Sequence, residues 1–244
     1  DTIYRNVYNL VIGKYFSTAE LGYYTRANSF KNLFSTNLEG IIGRVSYPVL
    51  SEIQNDPVKL KSGYKKILKN TMYLSFILMA GMAAVAEPMI ITLIGEKWRT
   101  SVVYLQMLCF VGALYPLHAL NLNMLNVKGR SDLFLNLEII KKILAIPTII
   151  IGIIWGVRIM ILGMCLNSII AYYLNSYYSG KLIKYPMKEQ VKDILPGLIY
   201  ALIMGAAVFL SGLFLPVNYL VKLMIQLALG IVLVLSFGEL FKFE

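Results

Sequence analysis

Charge is scarce in this sequence, and acid is scarcest: 13 aspartates and glutamates face 23 lysines and arginines, and both signs together make up 15% of 244 residues. A soluble domain carries about 25% charged and about 45–50% apolar residues, whereas here 58% are apolar and the mean hydropathy is +0.67. That balance excludes an ordinary soluble domain and puts the chain in a bilayer. Histidine occurs once and cysteine twice, and no metal constellation, nucleophile triad or phosphate-cradling glycine loop is present. Cys109 and Cys165 each sit inside an apolar run, where a thiol behaves as a small hydrophobe. Long hydrophilic stretches are missing too: no connection reaches the roughly 50 residues of an independent domain. A soluble catalytic domain is thereby excluded, as is the large external loop that a membrane-embedded assembly enzyme needs, so the chain is not expected to be an enzyme. No early apolar stretch carries a small-residue cleavage site, so no signal peptide is expected to be removed. The chain opens at "DTIYRNVYNL", without an initiator methionine and already helical in pattern, as a piece of a longer protein would.

What is abundant is apolar length. A helix needs about 20 apolar residues to span the hydrocarbon, and eight stretches qualify: 1–15, 20–50, 67–95, 101–127, 132–155, 158–180, 194–215 and 218–241. The predicted fold is an all-α, multi-pass membrane protein. Connections after the second, fourth and sixth stretches, with the C-terminus, carry twelve lysines and arginines, against four on the other side. The positive-inside rule makes the richer side cytoplasmic and leaves the C-terminus inside. The formal charge of +10 then reflects topology, since a nucleic-acid face would cluster its basic and aromatic residues on a soluble module. The longest connection, "SEIQNDPVKLKSGYKKILKN", places Lys61, Lys65 and Lys69 at i, i+4 and i+8 behind the breaker Asp56-Pro57. It reads either as an ordinary positive loop or as a basic amphipathic helix on anionic headgroups.

Two stretches break the apolar rule. In "LGYYTRANSFKNLFSTNLEGIIGRVSYPVL", Phe30, Phe34, Leu38, Ile41 and Val45 form one helical stripe, while Asn28, Asn32, Ser35 and Glu39 form another. Arg26, Lys31 and Arg44 lie on the same helix. A charge at the bilayer centre costs at least about 2.5–3.5 kcal/mol, so the polar side must face the bundle interior or water. The fifth stretch repeats the device: Glu138 precedes Lys141 and Lys142 by three and four residues, in reach of an internal ion pair. With Arg5 in the first stretch, six bases stand against two interior acids. The charges are either salt-bridge struts or the lining of an anion cavity, and the surplus of positive charge favours the cavity, since Arg and Lys are the usual phosphate partners.

Other signals are isolated. His118 is either a hydrogen-bonded packing residue or a proton-coupling group. Glu87-Pro88 and Pro147 mark helix ends or kinks, and the tyrosines of "AYYLNSYYSG" suit an aromatic belt at the cytoplasmic end of the sixth stretch.

The stretches "VIGKYFSTAELGYYTRANSF", "YPVLSEIQNDPVKLKSGYKK" and "IGEKWRTSVVYLQML" resemble the polysaccharide-transport branch of the multidrug/oligosaccharidyl-lipid/polysaccharide exporter superfamily, with Leu21–Ala27 the most specific part and Gly95–Trp98 in support. The resemblance implies a two-lobed helical bundle with a central cavity open alternately to either side of a bacterial inner membrane, by default that of a Gram-negative cell. Residues 1–180 would form the six-helix second lobe, residues 181–244 would add two C-terminal helices, and a missing N-terminal lobe would complete the cavity. The implied activity is the flipping of undecaprenyl-pyrophosphate-linked oligosaccharide for polysaccharide or lipopolysaccharide synthesis. Implied partners are membrane lipids and a polysaccharide polymerase machinery, with no nucleic acid. Arg26 and Lys31 would contact pyrophosphate or acidic sugar, followed by Arg5, Lys141 and Lys142, while Arg44 would guide headgroups in. Glu39, Glu138 and His118 would be charge partners or sites of Na⁺ or H⁺ coupling, without a bound cofactor or metal. A multidrug antiporter of the same superfamily is the alternative, disfavoured because cationic drugs call for an acidic cavity.

Overall fold

The computed structural model describes residues 6–241, apart from the side chains of residue 39 and residues 237–241. Among them the elements are α1 (Val7–Tyr15), α2 (Thr18–Glu52), α3 (Pro57–Ala84), α4 (Ala86–Ile94), a 3₁₀ turn (Glu96–Trp98), α5 (Thr100–Val127), α6 (Ser131–Trp155), α7 (Val157–Ile183), α8 (Met187–Phe214) and α9 (Tyr219–Phe241). A helix stands at every one of the expected stretches. Five of them, α3, α5, α7, α8 and α9, are long and apolar enough to cross a membrane. The charged helices α2 and α6 are long enough too, at 35 and 25 residues, and the all-α membrane fold read from the sequence stands.

Local chemistry sets the boundaries. Ser17 caps α2 by accepting the Glu20 N–H at 3.1 Å, the Ser-x-x-Glu arrangement of a capping box. Asp56 caps α3, accepting from the Val58 and Lys59 N–H groups at 3.1 and 3.0 Å, with Pro57 at the first helical position, where its missing donor costs nothing. At the opposite end, Gly95 and Gly156 close α4 and α6 with φ of +97° and +101°, a region where a side chain would be strained. Glu87-Pro88 falls where expected, in the first turn of α4 just beyond the break at Val85. Pro147 instead lies inside α6.

The connection after Pro57 behaves differently from either expectation. It is neither loop nor separate surface helix, because nothing between Asp56 and Ala84 breaks the helical pattern and α3 runs through it unbroken. Two of its lysines are drawn onto α8: Lys61 pairs with Glu189 at 2.8 Å and Lys65 with Asp193 at 2.9 Å.

The helices pack around α5, which touches α2, α3, α6 and α7. One buried cluster, at the lysine-rich end, joins Ile42 and Leu50 of α2 with Leu68 and Met72 of α3, Leu117 and Leu120 of α5, and Ala201 and Met204 of α8. A second cluster, at the Trp98 end, gathers Ile12, Tyr24, Ile90, Leu105 and Met160. Lipid tails give apolar faces no reason to associate, so close backbone approach and polar contacts decide helix pairing. Gly163 packs against Thr148 and Gly152 against Met160 where α6 meets α7. The pair α8 and α9 is clasped by Tyr200 Oη and Gln226 Nε2, which donate to the carbonyls of Leu233 and Val208 at 2.8 and 2.7 Å. Arg99 fastens α9 to α4, reaching Glu87 and Glu96, each at 2.6 Å, and donating to Tyr219 Oη at 2.7 Å.

Asp56 gives a pH prediction. Its carboxylate accepts the Lys59 and Val58 amides, and these hold it below the usual carboxylate range. A depressed folded value means that the stabilisation is complete above the unfolded value of about 3.9 and is lost as pH falls through the lowered one. Thermal melts should separate wild type from Asp56→Ala at pH 7, and the gap should close as pH falls below the usual carboxylate range.

Candidate functional site

The charged helices α2 and α6 both pack on α5, and α1 touches both of them. On α2 the polar stripe, not the apolar one, is the packing face: Ser35 is fully buried and Asn28 and Asn32 half-buried, whereas Phe34, Ile41 and Val45 are exposed. That inversion suits a helix whose surroundings are hydrocarbon.

The cations lie at separate levels. Arg26 is exposed, and its guanidinium stacks over Trp98 at 5.4 Å, with Tyr23 edge-on to the same ring at 6.0 Å. Trp98 is positioned by the 3₁₀ turn behind Gly95, which brings that turn against the Leu21–Ala27 stretch. Lys31, about 20 Å along α2 at 1.5 Å per residue, is 2% exposed. Its stem lies across Gly112 and its ammonium sits 4.7 Å from the Tyr115 ring centroid. In this conformation Lys31 is enclosed between α2 and α5. Arg44 is exposed nearer the lysine-rich end. Lys141 makes the ion pair with Glu138 that their spacing allows, with side chains 18% and 30% exposed, and Lys142 is half-buried beside it. Arg5 and the Glu39 side chain lie outside the described residues.

His118 is held on both nitrogens: Nε2 lies 3.0 Å from Ser168 Oγ and Nδ1 3.5 Å from Asn175 Nδ2. It belongs to a polar seam between α5 and α7 in which Ser179 donates to Asn121. The sequence reading missed this seam and the aromatic seats Trp98 and Tyr115. Ser168, Tyr172, Asn175 and Ser179 recur at 0, 4, 7 and 11, the same stripe spacing that exposed the polar face of α2. Among the described residues no group of three His, Cys, Asp or Glu side chains is placed to hold a metal. Cys109 and Cys165 are free thiols.

Together these features define an all-helical membrane protein whose charged helices hold their cations against aromatic and acidic partners. Residues 1–103 match the family described as "Polysaccharide biosynthesis protein". The chain is 28% identical over 174 residues to the lipopolysaccharide biosynthesis protein WzxC of Escherichia coli K12, covering 71% of this chain and 35% of that protein. It is 29% identical over 128 residues to the teichuronic acid biosynthesis protein TuaB of Bacillus subtilis 168, covering 52% and 26%. Its fold matches a solved chain titled lipid II flippase MurJ in an inward closed conformation, with a TM-score of 0.78, 21% identity, and coverage of 98% of this chain and 50% of that one. The resemblance read from the sequence is borne out by these matches, which lie among polysaccharide biosynthesis proteins and share the fold of a lipid flippase. The chain spans about a third of the length of the curated relatives it matches.

Proposed function

We propose that this chain forms the substrate-handling lobe of a flippase that moves undecaprenyl-pyrophosphate-linked oligosaccharide units across a bacterial inner membrane by alternating access. The observation that carries this reading is the set of cations held within membrane helices α2 and α6, Lys31 and Lys141 above all. A pyrophosphate entering the bilayer sheds its hydration, and fixed ammonium and guanidinium groups replace part of it. A cation seated on a ring is held by only about 0.5–2 kcal/mol, less than a charge-assisted hydrogen bond to phosphate offers, so Arg26 and Lys31 can trade an aromatic face for the headgroup as the lobes rock. Lys142 supplies further charge on α6, Arg5 adds charge in the sequence ahead of α1, and Arg44 meets headgroups at the lysine-rich face, which the positive-inside rule makes cytoplasmic. The chemistry is transport without catalysis, driven by Na⁺ or H⁺ acting through Glu39, Glu138 or His118. The N-terminal lobe of the family supplies the opposite wall, and a polymerase machinery receives the product.

The test is a binding titration of the full-length protein in nanodiscs with undecaprenyl pyrophosphate and with undecaprenol, which has the same tail and no phosphate. The expected result is at least tenfold tighter binding of the pyrophosphate, lost in the triple variant Arg26→Ala, Lys141→Ala, Lys142→Ala at equal folded protein. Equal affinity for the two lipids contradicts the reading.

A further inference from the structure

Beyond naming His118 as a coupling group, the translocation reading leaves the interior of the α3, α5, α7 and α8 junction unused, yet polar groups there form a connected series. It begins at the lysine-rich face, where the Asp193 carboxylate takes Lys65 at 2.9 Å and accepts the Tyr185 phenol at 2.6 Å. The Tyr185 ring meets that of Tyr64 edge-on, with centroids 6.0 Å apart. Tyr64 shares a buried cluster with Tyr172. Asn175 follows one turn beyond Tyr172 on α7, and its amide reaches His118. Helical rise places Asp193, Tyr64, Asn175 and His118 at about 9, 10, 12 and 14 Å from their ends of the bundle, and Tyr172 at about 16 Å, so the series climbs to Tyr172 and turns back through Asn175 to His118.

Three consecutive members of this line are unsatisfied. Tyr64 and Asn175 are 0% exposed and Tyr172 is 6% exposed, but Tyr64 Oη, Tyr172 Oη and Asn175 Oδ1 have no hydrogen-bond partner among the described residues. Buried polar atoms are almost always paired, and an exception calls for a use. Packing alone does not supply one, because phenylalanine would fill the Tyr64 and Tyr172 sites without a stranded hydroxyl.

We propose that this line is a proton-transfer route joining the lysine-rich face to His118. A proton entering from water at Asp193 is handed on along water bridges: each of Tyr185, Tyr64 and Tyr172 forms a new O–H bond as its own proton leaves, Asn175 holds the last water and turns its amide oxygen toward the ring, and all three tyrosines end neutral with the transferred proton on the imidazole as imidazolium. The reverse steps return it. The groups facing His118 are Ser168 and Asn175 from α7, with Tyr172 beyond them, and Lys141 with its partner Glu138 from α6. Tyr115, which seats Lys31 of α2, is three residues earlier on α5, and Tyr64 comes from α3. A charged imidazole repels the Lys141 ammonium and attracts the Glu138 carboxylate, so proton arrival strains the ion pair at the candidate site. That last link rests on the translocation reading, whereas the route itself does not.

The experiment is hydrogen–deuterium exchange at the His118 ring N–H in the ¹⁵N-histidine-labelled full chain in nanodiscs, with the signal assigned by its loss in His118→Gln. Tyr64→Phe and Tyr172→Phe should each slow exchange tenfold or more, while Tyr24→Phe, in the other cluster, leaves it unchanged. Thermal unfolding of both variants should match or exceed wild type. Equal exchange in all four proteins overturns the route, and so does faster exchange in either seam variant, which is what misfolding would produce. Failure of the wild type to move lipid in vesicles counts against the translocation reading and leaves the exchange result standing.

Discussion

Glu138→Gln and Lys141→Met should each destabilise the protein in the membrane by about 2–3 kcal/mol, and the double variant should recover most of that loss. Each single change strands a charge within α6 that its partner now neutralises. The fully buried case costs about 3–5 kcal/mol; the lower figure applies because the two side chains keep 18% and 30% exposure. In Glu138→Gln the orphan is a lysine beside His118, which makes it the costlier change. The double variant leaves a neutral amide and a thioether of similar volume and strands no ion. A double-mutant cycle on thermal unfolding in nanodiscs reads the coupling. Additive losses would mean that the two groups are solvated independently and that the pair has no structural role.

The second large effect concerns Lys31. Lys31→Met should stay within about 1 kcal/mol of wild type, because the methionine stem follows the same path across Gly112 and is volume-matched to its apolar surroundings. Lys31→Glu should lose about 3 kcal/mol or more, since it places a carboxylate against the electron-rich face of Tyr115 at a position that is 2% exposed. Measured together, the pair separates packing from charge. If Lys31→Met folds normally and still abolishes lipid translocation, the ammonium is required in a conformation where it has left Tyr115. Similar melting of the two variants would contradict the enclosed seat.

The sequence showed the helices well because hydrocarbon imposes a length, and every stretch near that length became a helix. It showed the charged helices for a related reason: Arg26, Lys31, Glu138 and Lys141 are too costly in lipid to be incidental, and 3.6-residue spacing was enough to pair Glu138 with Lys141. It could not show direction. Lys31 turns toward α5 because Gly112, some 80 residues away in the chain, leaves a slot for its stem, and no local pattern encodes that. The lysines after Pro57 look like a membrane-surface array until Glu189 and Asp193 arrive from α8. The polar seam of α7 hides among tyrosines whose aromatic character suggests an interfacial belt, although Tyr172 is buried at the core while Tyr173 and Tyr177 are exposed.

The most direct measurement is translocation itself: lipid-linked oligosaccharide flipping in cells that lack their own flippase and express the full-length protein, compared with Arg26→Ala and with Lys141→Ala, Lys142→Ala at matched membrane levels. The account predicts that wild type restores flipping and that each variant lowers it tenfold or more with folded protein intact. Full flipping by both variants, with only their thermal stability reduced, would contradict it and make these cations struts of the lobe.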